Sequence, residues 1–392
     1  MVSFERIDPN NQKRKISLLK RIGGGGAADI FKIKEFPDEV AKIYRNQHEL
    51  ASYEQKVNIM LKNKPDLPDF IDPKSKKNYP LAAWPKALIK KGSFKGFSMP
   101  KISLTESTTM QRILQSSMRR KTGLNETLLY RLAVARNLCA LVSKLNQKHY
   151  YLIDLKPLNL QVYKTNGNIV LLDCDGISIM EKSSGFSGSQ VTTEYTPAEN
   201  FGKKAEDFDE NRCQKQERFA LAVIIFQLLN NGLHPFTFKA NDTKYAQGGI
   251  VENIKSKRYA YDGKQHIWGV PNPQSILLSF TDEMISMFNA AFTTSSRPSA
   301  DQWFSELDKF VSSKNKNHFR CKNNENHFDF GKGCGECNKS LNAPVLLRSI
   351  GAPNSSNQDI LLSSIIKKRT PSFILTLVAL VVGSLLILGS NP

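Results

Sequence analysis

The chain is short of acidic residues: 36 Asp and Glu stand against 55 Lys and Arg and leave a formal net charge of +19. Such an excess attracts nucleic acid, anionic membrane surfaces or phosphorylated ligands, so the charge alone does not choose among these partners. The basic runs lack the interleaved aromatic residues of RNA-binding segments. We therefore expect a solvated basic surface and no nucleic-acid partner.

Cysteine is scarce too, since the 392 residues contain six and no signal peptide is found before the first, Cys139. We expect reduced thiols in a cytosolic setting instead of a disulfide framework. No internal repeat is found, which excludes a repeat array. Apolar residues make up 40% and charged residues 23%. This composition excludes long disorder, and the length suffices for a two-lobed domain of roughly 300 residues with smaller appendages.

Hydrophobic patterning divides the main part of the chain into two. Short strands surround a glycine cluster between 15 and 44, and a helix is predicted over 46–62. A loop-rich stretch over 65–96 precedes a strand-like stretch that ends at Met99, Pro100 and Lys101, and this arrangement is typical of a hinge between lobes. A second, helical lobe follows, with helices predicted over 126–145, 219–229, 282–292 and 299–310.

The glycine cluster is a candidate phosphate-binding loop. Backbone N–H groups approach phosphate oxygens closely where side chains are absent, a condition that Gly23 and Gly25 meet. A glycine-rich turn alone is more often only a turn. The spacing adds specificity, because Lys42 follows Ile30 by twelve residues within the strand-like stretch Val40-Ala41-Lys42-Ile43.

The most informative stretch brings together carboxylate, ammonium and amide side chains. Asp154, Lys156 and Asn159 precede a predicted hairpin whose second strand ends at Asp173. Carboxylate and amide oxygens suit Mg²⁺ (or Mn²⁺) shared with phosphate oxygens, so Asn159 and Asp173 are predicted to hold the ions bound to ATP. Asp154 would accept or orient a substrate hydroxyl proton, and Lys156 would balance charge on the transferred phosphoryl group. A polar surface turn is the structural alternative.

Taken in order from about residue 15 to about residue 310, these motifs resemble those of Hanks-type Ser/Thr protein kinases. The later motifs agree with the resemblance. Tyr195 to Glu199 resembles the end of the activation segment, Glu217 begins what resembles the buried central helix, and Arg297 is implied as the ion-pair partner of Glu199. More narrowly, the chain is similar to the bacterial kinases encoded beside von Willebrand A-domain and PP2C-type phosphatase proteins, which share the Met-Pro hinge, the Asp-x-Asp metal strand and a Cys/His tail.

The resemblance implies an α+β, bilobal protein-kinase fold, with a β-rich N-lobe over 1–98 and a helical C-lobe over 99–312. It implies that Lys42 pairs with the α and β phosphates and with a helix glutamate, for which Glu49 and Glu54 are candidates. We choose Glu54, because it lies on the stripe that faces the lobe interior. The residues implied to contact ATP are Ile22, Gly23, Gly24, Gly25, Ile30, Ala41, Lys42 and Met99.

The sequence departs from the kinase pattern at two places. Leu152 and Ile153 stand where most kinases have His and Arg, so switching by pairing a phosphorylated loop with that arginine is not expected. The metal motif reads Asp173-Cys174-Asp175-Gly176, and Asp173 is favoured as the metal ligand because it follows Asn159 by fourteen residues. Asp175 is left as either a second ligand or a turn former. The Ser and Thr residues between 178 and 193 are either autophosphorylation sites or parts of a flexible polar loop.

The stretch 313–340 carries a candidate zinc site formed by Cys321, His327, Cys334 and Cys337. Three thiolates and one imidazole suit a closed tetrahedral zinc centre, so we predict a small zinc-ribbon-like module holding structural Zn²⁺. His318 is an alternative ligand to His327. A redox role for the final Cys pair is less favoured, because no βαβ pattern surrounds it.

The last segments are a polar linker over 341–372 and a run of seventeen residues without charge over 373–389. The run would rise about 25 Å as a helix and follows the basic cluster Lys367 to Arg369. We expect a single-pass transmembrane tail anchor in the inner membrane, with the kinase domain in the cytoplasm. A helix docked on protein is the alternative.

The sequence thus supports three functions of different classes. An Mg-dependent, membrane-anchored kinase acting on Ser or Thr of protein substrates is favoured, with a von Willebrand A-domain protein and a PP2C-type phosphatase as candidate partners. An ATP-binding pseudokinase that serves as a membrane-tethered scaffold is second. A zinc-dependent nucleic-acid binder is third, because it draws only on the tail and the charge.

Overall fold

The computed structural model describes residues 3–338 except 47–48, 126, 182–183, 187, 189 and 313–318, and all described residues belong to one compact unit. The strands are β1 (Ser3–Ile7), β2 (Lys13–Gly24), β3 (Ala28–Ile33), β4 (Glu39–Tyr44), β5 (Phe70–Ile71), β6 (Asn78–Tyr79), β7 (Ala87–Lys91), β8 (Ser93–Pro100), β9 (Ser107–Thr109), β10 (Tyr150–Tyr151), β11 (Leu160–Tyr163), β12 (Ile169–Leu171), β13 (Ser178–Glu181), β14 (Ser184–Phe186), β15 (Phe238–Ala240) and β16 (Gly269–Pro271). The helices are α1 (Leu50–Lys62), α2 (Met110–Leu114), α3 (Ser116–Lys121), α4 (Leu128–Asn146), α5 (Glu210–Leu229), α6 (Thr243–Ala246), α7 (Gly249–Lys255), α8 (Asp282–Thr293) and α9 (Ala300–Val311).

The N-terminal part is a closed barrel with strand order β1-β2-β3-β4-β8-β7, all pairs antiparallel. Side chains alternate between the two faces of each strand, and Ile16, Ile33, Ala41 and Ile89 form one buried cluster inside the barrel. Helix α1 packs outside the barrel through its buried residues, among them Val57 and Met60. The predicted β-rich first lobe and its helix are therefore present.

The second part is helical and centres on α4 and α5. Residues 219–229 of α5 are buried almost without exception, as expected for a stretch that is apolar on every side. The helix starts are set by side chains, since Thr127, Asp209 and Ser299 accept hydrogen bonds from backbone N–H groups of the first turn of α4, α5 and α9. A β-rich part followed by a helical part fits a kinase-like fold.

The predicted membrane helix requires a correction. Among the residues that the structure describes, no helix combines the length and the apolar character needed to cross a bilayer. Even α5, with 20 residues, carries charged side chains through its first half. The segment 373–389, on which the transmembrane helix was predicted, lies outside the described residues. The fold is therefore α+β without a membrane-spanning helix in its described part, and the predicted tail anchor and inner-membrane localisation are withdrawn.

Candidate active site

A carboxylate, an ammonium group and an aliphatic hydroxyl meet after β10. The Thr192 hydroxyl donates to Asp154 Oδ1 at 2.7 Å and accepts from Lys156 Nζ at 3.0 Å. Lys156 Nζ also lies 2.6 Å from Asp154 Oδ2. Asn159 Nδ2 donates to the Asp154 backbone carbonyl at 3.0 Å, which closes the loop between them. Asp154 and Lys156 thus hold an alcohol between an acceptor and a cation.

A buried glutamate on α5 fixes the start of this loop. Glu217 Oε1 accepts the Leu152 N–H at 2.6 Å, and Oε2 accepts from Asn146 Nδ2 at 2.7 Å. Gln216, beside it on α5, donates to the Ile153 carbonyl at 3.1 Å. Complete burial raises the pKa of Glu217 to about 7, although both hydrogen bonds favour the ionised form.

The two residues predicted to bind Mg²⁺ face one pocket. Asn159 and Asp173 line the same small cavity, together with Asp154 and Gly176. The pairing of β11 with β12 brings them together, because Leu160 lies opposite Leu171 and the Leu172 N–H donates to the Asn159 carbonyl at 3.0 Å. The Asp173 side chain is 46% exposed. An amide and a half-exposed carboxylate on one pocket form a donor set that fits Mg²⁺.

The glycine loop connects β2 to β3 and leaves room above its backbone. A Cβ at Gly23, Gly25 or Gly26 would meet no atom within 4 Å, so the packing of this chain does not require glycine at those positions. The loop is held from the side by Asp29, which accepts hydrogen bonds from Arg21 and Arg45. A fixed loop whose upper face carries no side chain fits the close approach of phosphate groups.

Lys42 lies on β4 between two carboxylates. Its Nζ donates to Asp173 Oδ1 at 2.8 Å and to Asp175 Oδ1 at 2.5 Å. The Tyr44 hydroxyl donates to the other Asp175 oxygen at 2.6 Å. Burial alone would lower the pKa of Lys42, but the two carboxylates outweigh it and raise that pKa above its ordinary value. Burial likewise opposes ionisation of Asp175, yet Lys42 and Tyr44 hold its pKa below the usual range.

The predicted pairing of Lys42 with Glu54 differs from the arrangement found. Glu54 Oε1 lies 2.5 Å from Lys90 Nζ, on the β7 side of α1. The part of α1 nearest the site presents Lys56 instead, whose buried Nζ donates to the Asp175 carbonyl at 2.7 Å. Burial lowers the pKa of Lys56 to about 8, and the charge of Asp175 opposes that shift. Helix α1 therefore turns a cation, not a carboxylate, towards Lys42.

The predicted ATP contacts divide between two faces of the barrel. Ala41 lies in the barrel interior with Ile16 and Ile33, and strand alternation puts it on the face of β4 opposite Lys42. Val40, two positions before Lys42, shares the Lys42 face and belongs to the cluster that contains Met99. The other residues predicted to contact ATP stay a prediction, and the structure gives only their positions: Gly24 ends β2, Ile30 lies opposite Lys42 on β3, Met99 lies on β8, and Ile22 on β2 is 43% exposed.

Residue 153 is enclosed by hydrocarbon. Ile153 is fully buried and clusters with Tyr151, Phe208 and Cys213, and Val191, from the segment that leads to Glu199, packs against them. A Cβ at Gly188 would lie 2.7 Å from Ile153 Cδ1, so the segment approaches this side chain closely. The segment around Gly188 and Val191 thus makes apolar contacts with residue 153, where most kinases have an arginine.

The predicted ion pair at the end of the segment is confirmed. Arg297 Nη1 lies 2.6 Å from Glu199 Oε1, and the Arg297 side chain is buried. Its Nε also donates to the Ala291 carbonyl at 3.0 Å. The pair ties the segment that ends at Glu199 to the end of α8.

The four residues predicted to bind zinc lie together. Their ligand atoms all fall within 4.8 Å of one another. Cys321 Sγ is 3.7 Å from Cys337 Sγ, and His327 Nδ1 is 3.3 Å from Cys337 Sγ and 3.6 Å from Cys334 Sγ. A tetrahedral centre with Zn–S bonds near 2.3 Å places its sulfur atoms about 3.8 Å apart, so the cluster fits a zinc ion. His318, the alternative ligand, lies outside the described residues.

This Cys/His cluster packs on the helical part. Phe330 stacks edge-on against Phe280 and Phe310, with ring centroids 5.1 and 5.2 Å apart. Arg131 of α4 pairs with Glu336 at 3.6 Å, between side chains that are 3% and 18% exposed. The Cys/His cluster is therefore attached to α4 by an ionic contact and to α9 by aromatic contacts.

Three residues at the site were not predicted to act there. Thr192 was considered as a phosphorylation site or as part of a flexible polar loop, although its separation of seven residues from Glu199 gives it a fixed place in the segment. Asp175 was left open, and Lys56 was not considered. A carboxylate two residues beyond a metal ligand was a usable signal for Asp175. No sequence signal indicated that Lys56 is buried, because its partner Asp175 is 119 residues away in sequence.

Comparison with known proteins gives a distant relationship to kinases. No family model matches the chain. It is 27% identical over 307 residues to protein kinase YegI of Escherichia coli strain K12, and 27% identical over 304 residues to the protein of the same name from Escherichia coli O157:H7. Each match covers 74% of this chain and 44% of the relative, so the similarity spans less than half of those proteins. Over these residues the chain is therefore similar to two Escherichia coli proteins that are named as protein kinases.

Proposed function

We propose that this chain is a protein kinase that transfers the γ-phosphate of ATP to Ser or Thr hydroxyls of protein substrates. One observation carries the proposal, namely the Thr192 hydroxyl between Asp154 and Lys156 at 2.7 and 3.0 Å. The same two groups would orient an incoming alcohol, Asp154 accepting its proton and Lys156 neutralising charge beside it. The kinase names of the two relatives support this reading.

The nucleotide would lie between the glycine loop and the Asn159–Asp173 pocket. ATP bound with Mg²⁺ supplies the phosphoryl group and the charge that neutralises its oxygens. Asn159 and Asp173 would hold the metal, and Lys42 would hold the phosphates from β4. The open backbone at Gly23 and Gly25 supports the phosphate site, since a Cβ there meets no atom within 4 Å.

A labelling assay tests the proposal. Purified full-length chain is incubated with γ-labelled ATP and Mg²⁺, with and without a generic basic acceptor protein. Wild type should label itself or the acceptor on Ser or Thr, whereas Asp154→Asn and Lys42→Ala should lose at least about a hundredfold in rate. Glu106→Gln, which breaks an exposed pair with Lys77, is the matched control and should retain wild-type labelling.

Two other outcomes would change the proposed function. Label found only on tyrosine would overturn the Ser/Thr specificity. Binding of ATP without any transfer would overturn the kinase activity and leave the nucleotide-binding scaffold as the function. The labelled residue is identified by acid hydrolysis and separation of the phosphoamino acids.

We further propose that the Cys/His cluster holds structural Zn²⁺. The donor set is closed by four protein ligands, which is typical of structural rather than catalytic zinc. Cys321 and Cys334 also accept backbone N–H groups of Asn323 and Cys337, both at 3.4 Å, which favours thiolates. The metal content of the purified chain tests this proposal.

The partners also remain proposals. Protein substrates follow from the proposed kinase activity, and a von Willebrand A-domain protein and a PP2C-type phosphatase are proposed as partners from the narrower family resemblance. Co-purification of tagged chain with each candidate, compared with an unrelated protein of similar charge, tests them. Equal recovery of the unrelated protein would reject the partner proposed.

A further inference from the structure

We infer that Asp175 is the positioning residue that holds Lys42 for nucleotide binding, in the role that the sequence had assigned to a glutamate of α1. This inference rests on the proposed function. Asp175 is 7% exposed and contacts Lys42 at 2.5 Å, whereas Glu54 is engaged 2.5 Å from Lys90. The carboxylate that orients the lysine therefore comes from the loop that also carries the metal ligand.

The two carboxylates beside Lys42 have different surroundings. The Asp173 side chain is 46% exposed and lines the pocket with Asn159, so it is available to a metal. The Asp175 side chain is 7% exposed and has both oxygens occupied, one by Lys42 and the other by the Tyr44 hydroxyl at 2.6 Å. A metal would compete with two hydrogen bonds at Asp175 and with one at Asp173. The structure assigns metal binding to Asp173 and lysine positioning to Asp175.

The position of Asp175 is itself fixed by neighbouring elements. It lies in the 3₁₀ turn Cys174–Gly176, and its carbonyl accepts a hydrogen bond from buried Lys56 of α1 at 2.7 Å. Tyr44 is fixed as well, because its ring stacks on Tyr53 of α1 with centroids 4.3 Å apart. Helix α1 therefore supports the anchor through Tyr53 and Lys56 without supplying the carboxylate.

This arrangement makes a specific prediction about how Asp175 acts. If it acts through Lys42, removing its charge should matter only while Lys42 is present. Asp175→Asn keeps the size of the side chain and removes the charge. We expect ATP-Mg²⁺ to bind at least about tenfold more weakly to Asp175→Asn than to wild type. When Lys42 is already replaced by Met, adding Asp175→Asn should weaken binding by less than about twofold.

The experiment is a four-way titration of full-length wild type, the two single variants and the double variant with a nonhydrolysable ATP analogue and Mg²⁺. Glu54→Gln tests the competing assignment and should stay within about twofold of wild type. Equal weakening by Asp175→Asn in both backgrounds would indicate a purely structural role and overturn the inference. A loss of about tenfold or more in Glu54→Gln, with none in Asp175→Asn, would return the role to the helix.

The outcome stays separable from that of the proposed function. If wild type binds the analogue but transfers no phosphate, the kinase proposal fails while the titration still decides the role of Asp175. If wild type binds no nucleotide, both fail. Should Asp175→Asn not fold, Tyr44→Phe replaces it: it removes one hydrogen bond to Asp175, and we expect about threefold weaker binding with Lys42 present and no change with Lys42→Met. Equal effects in the two backgrounds would overturn the inference.

Discussion

Glu217 should make the stability of this protein depend on pH in a predictable direction. Its pKa is about 7 in the folded chain, against 4.5 for an ordinary glutamate. Because the folded pKa is raised, the folded state binds the proton more tightly than the unfolded chain does. Stability is therefore highest below the unfolded pKa and falls as the pH rises towards the folded pKa.

The size of this effect follows from the two pKa values. A folded pKa that lies one pH unit above the unfolded pKa corresponds to about 1.4 kcal/mol, so the complete cost of ionising Glu217 is about 3 kcal/mol. Between about pH 5 and about pH 8, most of that cost develops, and we expect the free energy of unfolding to fall by about 2 to 3 kcal/mol from this residue alone. Above the folded pKa the contribution becomes constant.

The comparison is between wild type and Glu217→Gln, unfolded in urea across that pH range. Glutamine can still accept the hydrogen bond from the Leu152 N–H, but its amide group faces Asn146 Nδ2. The free energy of unfolding of the variant should therefore be lower by about 1 kcal/mol at every pH. As the pH rises, the free energy of unfolding of wild type should therefore fall relative to that of the variant. Parallel curves for wild type and variant would refute the raised pKa, and a difference that moved in favour of wild type would refute its sign.

Three further variants test other parts of the structure. Gly25→Ala should bind ATP severalfold more weakly yet unfold within about 1 °C of wild type, since a new Cβ meets nothing within 4 Å; unchanged affinity would contradict the phosphate loop. Gly96→Ala should lower the free energy of unfolding by about 2 kcal/mol or more, because its Cβ would lie 1.9 Å from the Lys42 carbonyl oxygen; a wild-type urea midpoint would contradict this packing. Elemental analysis should find zinc in wild type and in Cys213→Ser but not in Cys337→Ser, which should also unfold at a lower temperature; equal zinc in all three would reject the site.

Local pattern was sufficient for much of the fold. The apolar stretch 219–229 becomes the buried part of α5, and the helix predicted over 282–292 is α8 within one residue at its end. The Arg297–Glu199 pair, implied by the kinase resemblance, is present at 2.6 Å. These features depend on hydrophobic periodicity or on motifs with a fixed order, both of which are visible in the sequence.

The differences arise where a partner comes from far along the chain. The stripe of apolar residues on α1 indicated which side is buried, but it could not show that Lys90 would take Glu54 or that Asp175 would accept a lysine from that helix. Ala41 is a different case, because strand alternation alone already places it on the face opposite Lys42. The face on which Ala41 lies could therefore be predicted from the sequence, whereas the contact between Lys56 and Asp175 could not.

The apolar surroundings of Ile153 have a consequence for phosphorylation of the neighbouring segment. Hydrocarbon does not attract a negatively charged group, so a phosphate added to the neighbouring segment gains no favourable contact at this side chain. The contact between Val191 and Ile153 is apolar, and the two side chains bury each other only when the segment lies close. A phosphate on the neighbouring segment would therefore need a cation elsewhere in the molecule, since the side chain at 153 offers it none.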